Sequence, residues 1–92
     1  MAQITIHRKN EFAYRGRTFK VMLDGKTVAN LEAGNSITID VVPGLHIIQA
    51  KMGWLTKSNS LKFNIFEDSL SRFSLGALSK GFLSSFIEIK SM

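Results

Sequence analysis

Residues 19–31 read FKVMLDGKTVANL, and this stretch decides the fold class. Apolar and polar side chains alternate from Phe19 to Leu23, a period of two that predicts a β-strand with one buried face. Asp24-Gly25 follows directly and favours a two-residue hairpin, because glycine accepts the positive φ of a tight primed turn. A second short strand is predicted over residues 27–31. The stretch as a whole predicts an antiparallel hairpin.

The same alternation recurs on both sides of this hairpin. Pro43-Gly44 ends one strand, since proline cannot donate to a strand ladder and glycine permits the bend. The run 45–52 carries apolar residues on both faces, which predicts a central place in a sheet. Segment 68–83 fits a strand, but its apolar residues also fit helical spacing, so a helix stays open there. Further strands are predicted over residues 3–9, 36–42, 45–52, 61–65, 72–78 and 85–90.

Seven or eight short strands at intervals of about 8–12 residues are typical of a β-sandwich or a small barrel. Ninety-two residues allow one domain. Surface scaling predicts that about 64% of the unfolded surface is buried on folding, enough for a two-layer core. We therefore expect a single all-β domain over residues 1–92, an antiparallel β-sandwich of immunoglobulin or prealbumin type, with a small barrel as the alternative.

Composition bears on location and partners. The chain has no cysteine, which fits a reducing compartment. It opens without the apolar stretch of a signal peptide, and no uncharged run approaches the roughly 18 residues of a membrane helix. We expect a cytoplasmic protein without a membrane span. The formal net charge is +5, most of it in residues 1–26, and such a bias favours solubility or an acidic partner.

Residues suited to catalysis are few and scattered. The two histidines, His7 and His46, lie on different predicted strands, and no serine lies in a nucleophile elbow. The chain lacks paired histidines at metal-ligand spacing and any glycine-rich phosphate loop. We expect His46 to pack at a strand start with its ring hydrogen-bonded to backbone. The sequence thus predicts a protein that is not an enzyme and that holds no cofactor or metal.

The segment between the first two predicted strands interleaves basic and aromatic residues. A basic groove with aromatic platforms is how small β-barrels hold single-stranded nucleic acid. The alternative is structural: the aromatic residues cap the open end of the sandwich while Arg15-Gly16-Arg17 forms a solvated turn. Both interpretations stay open. The residues concerned are Arg8, Lys9, Phe12, Tyr14, Arg15, Arg17 and Lys20.

Trp54 lies beside Gly53 at the end of a predicted strand. A tryptophan in such a place serves as an interface anchor in many complexes. It serves equally well as a cover over the core. We count Trp54 among the candidate partner-contacting residues and keep the core interpretation beside it.

The turns between Phe19 and Ile65 form a series. VMLDGK at residues 21–26 is followed by Gly34, by VPGLHII at residues 42–48, and by Gly53-Trp54. This series resembles the PEGA-type domains, small β-sandwiches related in shape to carboxypeptidase regulatory-like and transthyretin-like modules. The resemblance covers residues 19–65 and implies a non-catalytic adhesion or scaffolding module. It also implies a structural role for the turn residues Asp24, Gly25, Pro43, Gly44 and His46.

Two functional hypotheses follow. The first is a non-catalytic protein-interaction or structural module that binds a protein partner, or a second copy as a homodimer, through a strand edge or the Trp54 end. The second is a nucleic-acid-binding β-barrel that uses the basic-aromatic segment 8–20, with affinity that falls steeply with salt.

Overall fold

The computed structural model describes residues 1–11, 14–53, 56–79 and 85–92, and all of its regular secondary structure there is β-strand. Each predicted strand is found, with its ends shifted by at most two residues, and a two-residue strand is added to them. In the described residues the strands are β1 (Ala2–Arg8), β2 (Phe19–Leu23), β3 (Lys26–Leu31), β4 (Ser36–Val41), β5 (Gly44–Met52), β6 (Thr56–Lys57), β7 (Leu61–Ile65), β8 (Leu70–Ser79) and β9 (Ser85–Ser91).

These strands form two separate sheets. Sheet A has the order β4-β1-β8-β9. Sheet B has the order β3-β2-β5, and both β6 and β7 pair with the far side of β5. The two sheets pack face to face around one hydrophobic core, so the fold is a β-sandwich and not a closed barrel. The core residues are Ala2, Ile4, Ile6, Phe19, Val21, Ala29, Leu31, Val41, Ile48, Ala50, Met52, Ile65, Phe73, Leu75, Ile87 and Ile89.

The Asp24-Gly25 hairpin forms as predicted. Leu23 pairs with Lys26 across the turn, and Asp24 and Gly25 have φ values of 53° and 83°. Two consecutive positive φ values define a type I′ turn, whose twist matches that of the flanking strands. Strand β5 is central, as predicted, because it pairs with β2 on one side and with β6 and β7 on the other.

One pairing departs from the predicted antiparallel sandwich. Strands β1 and β8 run parallel, with Ile6 opposite Phe73. A parallel pair requires a long crossover connection, and the strands of sheet B supply it between β1 and β8. Within segment 68–83, a strand rather than a helix runs from Leu70 to Ser79, and residues 80–83 lie outside the described part of the chain.

The edge of sheet B is interrupted between β6 and β7. There the hydroxyl of Ser58 takes the place of a backbone carbonyl as the acceptor for β5. The Ala50 N–H donates to Ser58 Oγ at 2.8 Å, and the Ser58 N–H donates to the Ala50 carbonyl at 2.8 Å. The next residue, Asn59, reaches across to sheet A. Its Nδ2 donates to the Ile89 carbonyl at 3.0 Å, while its Oδ1 accepts from the Ile89 N–H at 3.0 Å. The Asn59 amide thus occupies part of the outer edge of β9.

Candidate functional site: surfaces of the sandwich

His46 and Asp24 form a compact cluster where the β2–β3 turn meets β5. His46 Nδ1 lies 2.6 Å from Asp24 Oδ2, and His46 Nε2 lies 2.6 Å from the Val42 carbonyl oxygen. The other carboxylate oxygen of Asp24 accepts from the Ile47 N–H at 2.9 Å. Both ring nitrogens therefore face acceptors, which favours the doubly protonated imidazolium.

The same contacts perturb both titrations. The hydrogen bond to the Val42 carbonyl, and then the one to Asp24, raise the pKa of His46 above its ordinary value. The hydrogen bonds from His46 and from the Ile47 N–H lower the pKa of Asp24. A histidine whose two nitrogens are both engaged has no free nitrogen for general-base catalysis. The predicted backbone hydrogen bond of His46 is confirmed, and the cluster ties the β2–β3 turn to β5.

The sequence predicts that Arg8 belongs to a partner-contacting surface, whereas the structure places its side chain in the interior. Its side chain is 2% exposed, and its guanidinium carbon lies 3.6 Å from the centroid of the Phe19 ring. Carbonyl groups receive its N–H donors: Leu31 at 2.8 Å, Tyr14 at 2.6 Å, and Arg17. Desolvation lowers the pKa of this guanidinium. Strand alternation explains the burial of Arg8, because Ala2, Ile4 and Ile6 point inward and Arg8 continues the same face.

The rest of segment 8–20 does not form one surface. Tyr14 is half-buried against the core, with its ring 6.2 Å from that of Phe19. Arg15 Nη2 donates to Asn10 Oδ1 at 3.3 Å. Lys20 instead lies on the outer face of sheet B, because its neighbours Phe19 and Val21 face the core. Lys9 lies against Gly76 of sheet A, close enough to contact any side chain placed there. Phe12 and Trp54 lie outside the described residues.

A shallow open groove of about 360 Å³ lies between the segment that precedes β2 and the residues that follow β3. Its walls are mainly polar, and the charged residues in its lining are Arg15, Arg17 and Glu32. The Arg17 guanidinium also reaches the end of β5, within 3.0 Å of where a side chain on Gly53 would begin. The lining residues are Asn10, Arg15, Gly16, Arg17, Thr18, Glu32 and Ala33.

A row of lysines crosses the outer face of sheet B. Lys20 of β2 lies directly opposite Lys51 of β5, and Lys51 lies directly opposite Lys57 of β6. The flanking residues Val21, Ala50 and Met52 are buried, so strand alternation directs these lysines outward. We call Lys20, Lys51 and Lys57 the lysine row. Opposite residues hold their Cβ atoms about 4.5–5.5 Å apart, so the row spans about 10 Å.

No carboxylate neutralises the lysine row. The five strands of sheet B contain five lysines and no aspartate or glutamate. All seven acidic residues of the chain lie in its described part. Among the described residues, three carboxylates form ion pairs, Glu67 with the N-terminus, Asp24 with His46 and Glu88 with Lys90, and none of these pairs involves the row.

Apolar side chains are exposed on the same outer face, toward its other end. Leu45 and Ile47 of β5 are 67% and 46% exposed, and Phe66, just after β7, is 68% exposed. Alternation places Leu45 and Ile47 opposite in direction to the buried Ile48 and Ala50. We call Leu45, Ile47 and Phe66 the apolar patch. Lys51 and Leu45 are six residues apart on β5, which is about 20 Å at about 3.3 Å per residue.

The outer face of sheet A differs from that of sheet B. Polar side chains on β1 and β4 hydrogen-bond to each other in a ladder. Gln3 Nε2 donates to Asp40 Oδ1 at 3.0 Å, the hydroxyls of Thr5 and Thr38 lie 2.9 Å apart, and His7 Nδ1 lies 2.7 Å from Ser36 Oγ. This pair of strands therefore satisfies its own polar groups, whereas sheet B leaves charges and apolar surface without a partner.

Sequence reasoning did not single out Lys51, Lys57 or the apolar patch. Part of the signal is in the sequence, since the run 45–52 carries apolar residues on both faces, a pattern that predicts a central strand. The missing information is register: only the pairing of β2 with β5 and of β5 with β6 aligns the three lysines.

Within the described residues, no three histidine, aspartate or glutamate side chains are grouped as a metal site would require. The part of the chain that is described also contains no helix of the length and hydrophobicity needed to cross a membrane. Comparison of the chain with protein-family models, with curated proteins and with solved structures finds no match.

Proposed function

We propose that this chain is a non-catalytic protein-interaction module and that a partner protein docks on the outer face of sheet B. The carrying observation is the apolar patch: Leu45, Ile47 and Phe66 are between 46% and 68% exposed on one face of an antiparallel sheet. The solvent side of such a sheet normally carries polar residues. Grouped apolar side chains on a surface mark an interaction site.

Two further observations support the proposal. Both ring nitrogens of His46 are held by acceptors, so this imidazole is committed to a structural role at a turn. The PEGA-type resemblance of residues 19–65 implies a scaffolding or adhesion role of the same kind. We also propose a cytoplasmic location, because the cysteine-free composition suits a reducing compartment.

The experiment compares proteins captured by three immobilised forms of the chain. Ile47→Ser removes apolar surface from the outer face of sheet B. Leu70→Ser is the matched control, because Leu70 is 47% exposed, close to the 46% of Ile47, but lies on β8 of sheet A. We expect proteins bound by the unaltered chain to be retained by Leu70→Ser and lost from Ile47→Ser. Identical capture by all three forms contradicts the proposal, provided that all three show the same thermal unfolding.

A further inference from the structure

The lysine row is an arrangement that costs the folded protein stability. Like charges directly opposite each other on neighbouring strands repel and destabilise a sheet. Lys51 experiences this twice, because it lies between Lys20 and Lys57. Counter-charges are absent from every strand of sheet B. An anionic group bound over the row relieves this repulsion, so binding there is favoured beyond the contacts themselves.

We propose that the lysine row, Lys20, Lys51 and Lys57, binds a carboxylate-rich segment of the partner protein. This inference rests on the proposed function and adds the chemistry of the partner. The row and the apolar patch share one face, and along β5 Ile47 lies about 13 Å and Leu45 about 20 Å from Lys51. The fitting partner segment carries acidic side chains at one end and apolar side chains at the other.

A second copy of the chain fits this surface poorly. The chain carries twelve lysine and arginine residues against seven acidic ones. Two copies, each with a net charge of +5, repel at low ionic strength. Charge complementarity therefore selects a foreign acidic protein.

An anionic membrane and a nucleic acid fit less well than an acidic protein. Phe66, the most exposed residue of the apolar patch, is followed by Glu67 and Asp68, both exposed. These carboxylates repel lipid phosphates at the point where the apolar side chains would insert. Single-strand binding uses aromatic side chains on which bases stack. The phenylalanines in the described strands of sheet B, Phe19 and Phe63, pack in or against the core and not beside the lysine row.

Poly-L-glutamate serves as the acidic polypeptide probe, with binding measured by calorimetry at low salt. Lys51→Gln neutralises the centre of the row. Lys90→Gln is the matched control, since it removes one lysine charge from β9 of sheet A. We expect Lys51→Gln to weaken binding about two- to fivefold and Lys90→Gln to leave it within experimental error. The triple variant Lys20→Gln/Lys51→Gln/Lys57→Gln is expected to abolish binding.

Thermal unfolding of the same variants gives a second readout. Lys51→Gln is expected to raise Tm while it weakens binding, because the repulsion within the row is relieved. Loss of stability together with loss of binding would instead indicate a damaged fold. Sedimentation across a concentration series at low salt is expected to show a monomer.

Three outcomes overturn the inference. One is equal weakening by Lys51→Gln and Lys90→Gln, which indicates attraction by net charge alone. Another is tighter binding to oligothymidylate or to phosphatidylserine vesicles than to poly-L-glutamate. The third is reversible self-association that Lys51→Gln abolishes. None of these results alters the capture experiment with Ile47→Ser, so failure of the acidic segment and failure of the proposed function are distinguishable.

Discussion

At the scale of single residues, Arg8 and His46 are polar residues whose side chains join separate parts of the fold. Arg8 replaces an apolar residue on the inner face of β1 and is stabilised by the Phe19 ring and by backbone carbonyl groups. A buried charge is tolerated only when its hydrogen bonds are satisfied. His46 performs a similar task nearer the surface, where it joins Asp24 to the backbone before β5.

The Asp24–His46 cluster predicts a pH dependence of stability. The pKa of His46 is raised from 6.5, so its contribution is complete below 6.5 and is lost as pH rises through the folded value. The pKa of Asp24 is lowered from 3.8, so its contribution is present above 3.8 and is lost as pH falls through the folded value. Between these two ordinary values both contributions are present.

Urea unfolding of the unaltered chain and of His46→Gln tests this dependence. We expect the difference in free energy of unfolding to be larger at about pH 5 than at about pH 9. Asp24→Asn is the companion variant, because asparagine tolerates the positive φ of 53° at this position. The two changes should be less than additive at about pH 5, since each removes the same contact. A difference that is the same at both pH values contradicts the prediction.

At the scale of elements, the chain protects one sheet edge with a side chain. Edge strands expose unpaired backbone groups that invite pairing with other chains. Asn59 covers part of β9 by binding both the N–H and the carbonyl of Ile89. Because an amide carries one donor and one acceptor group, it can replace the backbone of a neighbouring strand at this single residue.

Asn59→Ala should therefore destabilise the fold and expose β9. Leaving the two Ile89 groups without their partner is expected to lower the free energy of unfolding by about 1 kcal/mol. Urea unfolding measures this loss, and sedimentation reports association through the freed edge. Asn64→Ala is the control, because Asn64 lies on the exposed side of β7. Equal effects of the two substitutions would refute the role assigned to Asn59.

At the scale of the whole molecule, the two faces of the sandwich differ in charge. The strands of sheet A carry both signs, with Asp40 and Glu88 as well as Arg72 and Lys90. Those of sheet B carry lysine alone. On the outer face of sheet A, polar side chains of β1 and β4 hydrogen-bond to each other. The outer face of sheet B is basic and exposes apolar side chains. An acidic partner with apolar side chains therefore fits sheet B and not sheet A.

The asymmetry predicts a salt-dependent stability. Lys51→Gln should raise the free energy of unfolding by about 0.2–1 kcal/mol at low salt, the range for cross-strand pairs. This gain should disappear at about 1 M salt, where the screening length is about 3 Å. Urea unfolding at both salt concentrations measures it, with Lys90→Gln as the control. A gain that persists at high salt would show that repulsion within the lysine row is not its cause.

The elements were largely predictable because their signals are local. Alternation within five to ten residues identifies each strand, and Asp24-Gly25 identifies its turn from two residues. The candidate surface was not predictable in the same way. The basic neighbours Lys9 and Arg15 predict a surface position for Arg8, whereas the alternation that begins at Ala2 directs its side chain inward. The apolar residues on both faces of the run 45–52 predict a central strand, which is confirmed, but they do not predict that Leu45 and Ile47 are exposed, because exposure depends on what packs against a strand.

The sequence by itself determined that this protein is an all-β chain with a hairpin at Asp24-Gly25 and the end of a strand at Pro43-Gly44. Those features depend on φ preferences and on the two-residue period of a strand, which act over a few bonds. Only the tertiary structure decided the parallel pairing of β1 with β8, the burial of Arg8 and the alignment of the lysine row. Each of these depends on register between distant strands, where a slip of one residue turns every side chain to the opposite face.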